Sequence, residues 1–241
     1  GGLQTCRKLI DEGAIGVPVG GAGFILIPGN ENWHPNPEFF YKNGAGPLFD
    51  MGPYYLTALT TLLGPVQRVT GSARISFPQR TITSEPLAGT VIDVEVPTHV
   101  AGLLEFHSGA VVTLTTSFDV VAHRLPNIEI YGSEGTLVVP DPNTFGGPIL
   151  LRGRGEEQWR EMPLEFGYAG SSRGLGVSDM VSAIANDREH RANDQVAYHV
   201  LDLMHSILEA SESGCHVKVA SEMGRPAPLP QGLLPGRVEL V

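Results

Sequence analysis

The chain has 241 residues, 41% of them hydrophobic and 17% charged, with a formal charge of −10. That length holds one large domain or two small ones with a real core, and the acidic balance argues against a nucleic-acid partner, whose phosphates need a basic surface. No run approaches the roughly eighteen apolar residues of a membrane span, and two cysteines, Cys6 and Cys215, are too few for a disulfide framework.

The reading is therefore a cytoplasmic protein in a reducing compartment, with no membrane association, handling a neutral or modestly charged small molecule. Thirty glycines and nineteen prolines favour turns and short strands over long helices. The chain opens Gly-Gly-Leu without a methionine, which reads as a piece of a longer protein.

In chain order, Leu3, Cys6, Leu9 and Ile10 have helical spacing and Gly13 suits a terminator. Val17 to Pro28 reads as a strand. Its Gly20-Gly21-Ala22-Gly23 lies inside that strand, not between strand and helix, so it is not read as a phosphate loop. Asn30 to Asn43 is polar and aromatic, and Pro35 and Pro37 forbid a regular helix there. Long loops beside a site tend to carry function, so Trp33, His34, Asn36 and Lys42 are candidate substrate contacts; the alternative is a surface loop with a packed Trp33.

From Pro47 to Leu63 the period is helical. Leu48, Phe49, Gly52, Tyr55, Leu56, Leu59, Leu62 and Leu63 form one stripe. Asp50, Tyr54, Thr57 and Thr61 fall on the opposite face, one turn apart. An acid and a phenol are thus presented side by side, and Asp50 and Tyr54 are the candidate catalytic pair. Two readings of the helix stay open. Either it starts at Pro47 and Pro53 kinks it, or Asp50 is an N-cap and the helix starts at Met51.

Val66 to Phe77 reads as the next strand and residues 78–97 as irregular. Three hairpins follow: Thr98–Phe106 with Ala110–Phe118, Asn127–Tyr131 with Thr136–Val139, and Ile149–Arg152 with Gln158–Met162. Leu175 to Asn186 is helical, with Val177, Met180, Val181 and Ile184 on one side. Asp194 to Ser213 is helical again, and Gly214 ends it. A Pro- and Gly-rich tail runs extended. The fold class is α+β: one domain over 1–241, with a large, predominantly antiparallel open sheet and helices on one face. In the hairpin at 98–118 apolar residues occupy both alternating sets, so the second sheet face suits packing against another copy, and a homodimer is expected.

Other constellations are sparse. No histidine pair has helical metal spacing, so no metal site is expected. His123-Arg124, after a strand, is a further candidate substrate contact or a solvated turn. The dinucleotide fingerprint is not found. Gly21-Ala22-Gly23, Gly44-Ala45-Gly46 and Gly174-Leu175-Gly176 lack the third small residue and a strand–helix context. The chain by itself is expected to bind neither NAD nor NADP.

The run Gly44-Ala45-Gly46-Pro47-Leu48-Phe49-Asp50-Met51-Gly52-Pro53-Tyr54, in front of an amphipathic helix, resembles the Gly-x-Gly-x-x-x-Asp-x-Gly-x-(His/Tyr) signature of the Gfo/Idh/MocA family of NAD(P)-dependent oxidoreductases. The stretch from Thr5 to Gly16 and the landmark from Ile128 to Leu137 match as well. The resemblance implies a C-terminal substrate and dimerisation domain. A dinucleotide-binding domain and a catalytic lysine would lie upstream, so this chain alone would be inactive. It implies that Asp50 and Tyr54 bind substrate hydroxyls and handle the proton. It also implies hydride transfer between NAD or NADP and a sugar- or cyclitol-like alcohol, and face-to-face pairing of sheets. A non-catalytic small-molecule-binding or assembly module is the alternative.

Overall fold

A computed structural model describes residues 1–234 and 236–240. Nine strands form one open sheet. They are β1 (Pro18–Leu26), β2 (Val66–Arg74), β5 (His99–Phe106), β6 (Val111–Ser117), β7 (Ile128–Gly132), β8 (Gly135–Val139), β9 (Ile149–Gly153), β10 (Arg160–Met162) and β11 (Val217–Lys218), in the order β10-β9-β8-β7-β1-β6-β5-β2-β11. Every neighbouring pair is antiparallel except β1 with β6. Two strands absent from the sequence reading, β3 (Gln79–Thr81) and β4 (Val91–Asp93), pair as a separate hairpin inside residues 78–97.

The period-2 rule sorts the sheet into two faces. Val100, Leu104, Val112, Leu114, Ile128, Ile130, Leu137, Val139, Ile149 and Leu151 are buried on one. Over that face lie α1 (Gly2–Asp11), α3 (Gly52–Leu63) and α5 (Asp194–Ser213), against β8, β1 and β2 respectively. The other face carries Val19, Leu103, Val111 and Tyr131, which are exposed. Gly71 pairs with Gly102 directly under α5. A Cβ on Gly71 would stand 2.3 Å from the Ile207 carbonyl oxygen, so the missing side chain lets the helix backbone settle onto the sheet. His199 fastens the same helix. Its Nε2 accepts the Val66 N–H at 3.1 Å, and its Nδ1 lies 2.8 Å from Ser221 Oγ.

The helix expected over 47–63 is two: α2 (Pro47–Asp50) and α3, broken at Met51. Both proline expectations meet here. Pro47 occupies the first turn of α2, and Pro53 occupies the first turn of α3, where its lack of an N–H costs nothing. Asp50 makes no capping bond to α3. Gly46, at φ +90°, turns the chain into α2. Thr61, expected on the outer face, is buried. On α4 (Leu175–Ala185) the apolar stripe does not meet the core: Val177, Val181 and Ile184 are exposed. That helix is anchored instead by buried Asp179, which accepts from Arg188 and Arg191.

Candidate functional site

A cleft of about 480 Å³ opens at the end of the sheet where β1, β6 and β8 finish. Its floor is the end of β1 and the residue after it, Phe24 to Ile27. Four connections supply the walls: Asn30, Trp33 and Phe40 from the loop after β1, and Asp50, Met51 and Tyr55 from the α2–α3 junction. His123 and Asn127 come from the segment after β6, and Asp141 and Asn143 from the segment after β8. Strand ends hold such loops on a rigid base, the usual placement of binding residues.

The break at Met51 places Asp50 in the wall. Burial holds its carboxyl above the usual carboxylate range, and among the described residues no hydrogen bond reaches it. Tyr55 is 2% exposed. Its hydroxyl accepts from Asn127 Nδ2 at 2.7 Å and donates to Asp141 Oδ1 at 3.3 Å. Burial, with the Asp141 carboxylate beside it, pushes the phenol well above its ordinary value, so Tyr55 stays a neutral donor. Asn143 N also donates to Asp141 Oδ1, at 2.9 Å.

Asn30 is 2% exposed. Its backbone N–H donates to the Tyr41 hydroxyl at 3.1 Å, and its Oδ1 accepts from Trp33 Nε1 at 3.1 Å. Its Nδ2 is buried without a partner. The Trp33 ring is held by that bond and by an edge contact with His34, 5.2 Å between centroids, yet it is 63% exposed.

Behind this wall sits Arg80 of β3. It pairs with Glu31 at 2.6 Å and with Asp119, and donates to the Phe118 carbonyl at 3.1 Å. The Tyr41 hydroxyl donates to Glu31, and Thr98 Oγ1 to Asp119 at 2.7 Å. The hairpin unforeseen from sequence thus bolts both wall loops together. Thr83 and Ser84 add backbone bonds to Glu31 O at 2.9 and 3.1 Å.

Of the residues proposed from sequence, Asp50, Trp33 and His123 line the cleft. Tyr54 stands on the outer face of α3 and is 37% exposed, outside the wall. His34 lies behind Trp33, its Nδ1 accepting from Asn36 N at 3.1 Å, and Asn36 is exposed. Lys42 is bound to Glu95, Glu38 and the Asp93 carbonyl, away from the cleft. Arg124 is exposed and does not line it. Asn30, Tyr55, Asn127 and Asp141 were missed. Tyr55 Oη and Asp141 are 86 positions apart in the chain, and nothing local signals their meeting.

Among the described residues no group of three His, Cys, Asp or Glu side chains could hold a metal ion, and no helix is long and apolar enough to cross a membrane. Gly20 to Gly23 pair with β6 on one side and β7 on the other, so their amides are not a free cradle for a pyrophosphate.

The fold is shared with solved oxidoreductases. An NAD-binding oxidoreductase from Klebsiella pneumoniae superposes with a TM-score of 0.71 and 23% identity over 90% of this chain and 63% of its own. Levoglucosan dehydrogenase, in complex with NADH and L-sorbose, gives 0.71 and 21% over 90% and 62%. An oxidoreductase domain protein from Kribbella flavida gives 0.69 and 19% over 91% and 64%. The chain therefore spans less than two thirds of the length of these neighbours. No curated protein matches its sequence. The model of the GFO/IDH/MocA C-terminal domain matches residues 3–138, more than half of the sequence and including the whole of the α2–α3 junction; the chain belongs to that family.

Proposed function

We propose that the chain is the substrate-binding half of an oxidoreductase that transfers a hydride between NAD or NADP and a sugar- or cyclitol-like alcohol. The observation that carries this reading is Asp50: a half-buried carboxylate without a hydrogen-bond partner among the described residues, at the family's motif position, in the wall of a cleft of small-molecule size. Neighbours of the same fold include levoglucosan dehydrogenase, solved with L-sorbose and with levoglucosan. Asp50 accepts hydrogen bonds from substrate hydroxyls, and its raised affinity for a proton suits it to proton exchange with the reacting oxygen. Tyr54 faces outward from α3, and its role requires a second domain closing over that side. The cofactor and a catalytic lysine belong to that domain, in a longer parent protein.

The test is kinetic. In the full-length parent, polyols and sugars are screened with NAD and NADP, and Asp50→Ala and Tyr54→Phe are assayed on the best substrate. Each is expected to lower kcat/KM by about 10²-fold or more; full retention by both refutes the assignment. We further propose that the exposed sheet face, with Val19, Leu103, Val111 and Tyr131, pairs with a second copy. An obligate interface of this kind buries roughly 2,000 Å² or more, and a monomer by sedimentation at micromolar concentration refutes it.

A further inference from the structure

The cleft is one-sided in charge. Among the described residues two carboxylates, Asp50 and Asp141, line it beside the single imidazole of His123, and no lysine or arginine does. The cations nearest in sequence are committed elsewhere. Arg80 is locked between Glu31 and Asp119, and Lys42 between Glu38 and Glu95. The hydrogen-bonding groups are one-sided too. Among the described residues the Asp50 carboxylate is without a donor, and Asp141 takes its bonds from Tyr55 and Asn143 on Oδ1. Among the described lining residues one buried donor is unmatched: the Asn30 amide, in a residue 2% exposed whose Oδ1 is already held by Trp33. A buried donor without a partner is costly and is normally matched by something. The ligand that fits has several O–H donors and at least one neutral acceptor oxygen. A carboxylate or phosphate on it would add negative charge beside two carboxylates, with no lysine or arginine of this chain in the lining to offset it.

We infer that this cleft is a charge filter: it takes uncharged polyhydroxylated rings and rejects their carboxylated and phosphorylated counterparts, with Asn30 Nδ2 donating to a ring or hydroxyl oxygen and Trp33 offering its exposed face to the ring. The inference rests on the cleft being the substrate site and adds which members of the sugar and cyclitol class enter it.

The experiment uses matched pairs added to the 241-residue chain at pH 7 and low salt: D-glucose with D-glucuronate, D-galactose with D-galacturonate, and myo-inositol with its 1-phosphate. Binding is read from the NMR signals of the Trp33 indole N–H and the Asn30 side-chain amide. The neutral member of a pair is expected to bind about tenfold or more tightly than the acid. The Asp50→Asn/Asp141→Asn variant narrows that gap to about threefold or less. Where that variant does not fold, raising salt from about 20 to about 500 mM narrows the same gap in the unmodified chain. An acid that binds as well as its neutral partner, or a gap indifferent to both treatments, overturns the charge filter and leaves the cleft as a binding site. No response at these signals from any neutral compound overturns the filter and the cleft's assignment as substrate site together.

Discussion

Two acidic clusters flank the loop from Asn30 to Tyr41, and they treat charge in opposite ways. Around Arg80, Glu31 and Asp119 are 14% and 8% exposed and share one guanidinium, with Tyr41 and Thr98 hydroxyls donating to the oxygens that remain. Across the loop, among the described residues, Asp50 has no donor and Asp141 meets only a neutral phenol and an amide N–H. Buried carboxylates that a protein matches with its own cations serve its architecture. Those it leaves unmatched in a cleft are kept for another molecule. The same loop therefore has a structural side and a chemical side, and substitutions should separate them.

The largest effect is expected at Arg80. Arg80→Met removes the cation and leaves two carboxylates buried together, which costs about 3–5 kcal/mol of unfolding free energy in urea titrations. A loss below about 1 kcal/mol would place the Arg80 cluster on the same footing as the cleft. Tyr55→Phe comes next. It strands Asn127 Nδ2 and removes a donor from Asp141, for about 1–2 kcal/mol, while the ring and its packing remain. Addition of a neutral sugar should then stabilise the variant less than the unmodified chain.

Asp50→Asn acts in the other direction. The folded state binds a proton at Asp50 more tightly than the unfolded state does. Its ionised carboxylate is therefore a net cost to folding at neutral pH. That cost fades as pH falls through the folded-state pKa toward the unfolded value of about 3.9. The amide should raise stability at pH 7, and the gain should shrink as the pH is lowered toward 4. A destabilised variant at pH 7 would mean that Asp50 has a protein partner, and the contrast with Arg80 would collapse.

How far these contrasts were legible beforehand depended on how local their causes are. The hairpins closed by His107-Ser108-Gly109 and Gly132-Ser133-Glu134-Gly135 are written in adjacent residues, and the break at Met51 follows from Pro53 alone. The β3–β4 hairpin has three-residue strands, too short for a period to register. What holds it is tertiary: Ile82, Ile92 and Val94 packed with Phe118 and Tyr41, and Arg80 with its carboxylates. Helical period located Tyr55 in the buried stripe, where it is, but does not say where a hydroxyl six bonds from the Cα ends up. On α4 it found a helix with Val177, Met180, Val181 and Ile184 on one side, but period alone names no partner for that side. Asp50 and Trp33 were accessible because a motif and a loop mark them. Asn30, Asn127 and Asp141 become site residues only when three distant connections converge.

Lys42 gives the smallest expected effect and the finest test of the contrast. As the one lysine in the loop–helix approach it was a natural candidate for substrate contact. In the folded chain its ammonium bridges Glu38 at 3.4 Å and Glu95 at 3.0 Å and donates to the Asp93 carbonyl at 3.1 Å, on the architectural side of the loop. Glu95 and Glu38 hold its proton more firmly than usual, so its charge is both present and occupied at pH 7. Exposed pairs of this kind contribute little because water and salt compete for both partners. Lys42→Ala should leave the unfolding midpoint nearly where it was and change neutral-sugar affinity by less than about twofold. It should also leave the discrimination against acids intact, since the lost charge never faced the cleft. If the variant instead bound neutral sugars tenfold more weakly, or if acids bound the unmodified chain through Lys42, the ion pairs with Glu38 and Glu95 would have to open in solution. The division of this loop into a structural and a chemical side would then fail at its first residue after Tyr41.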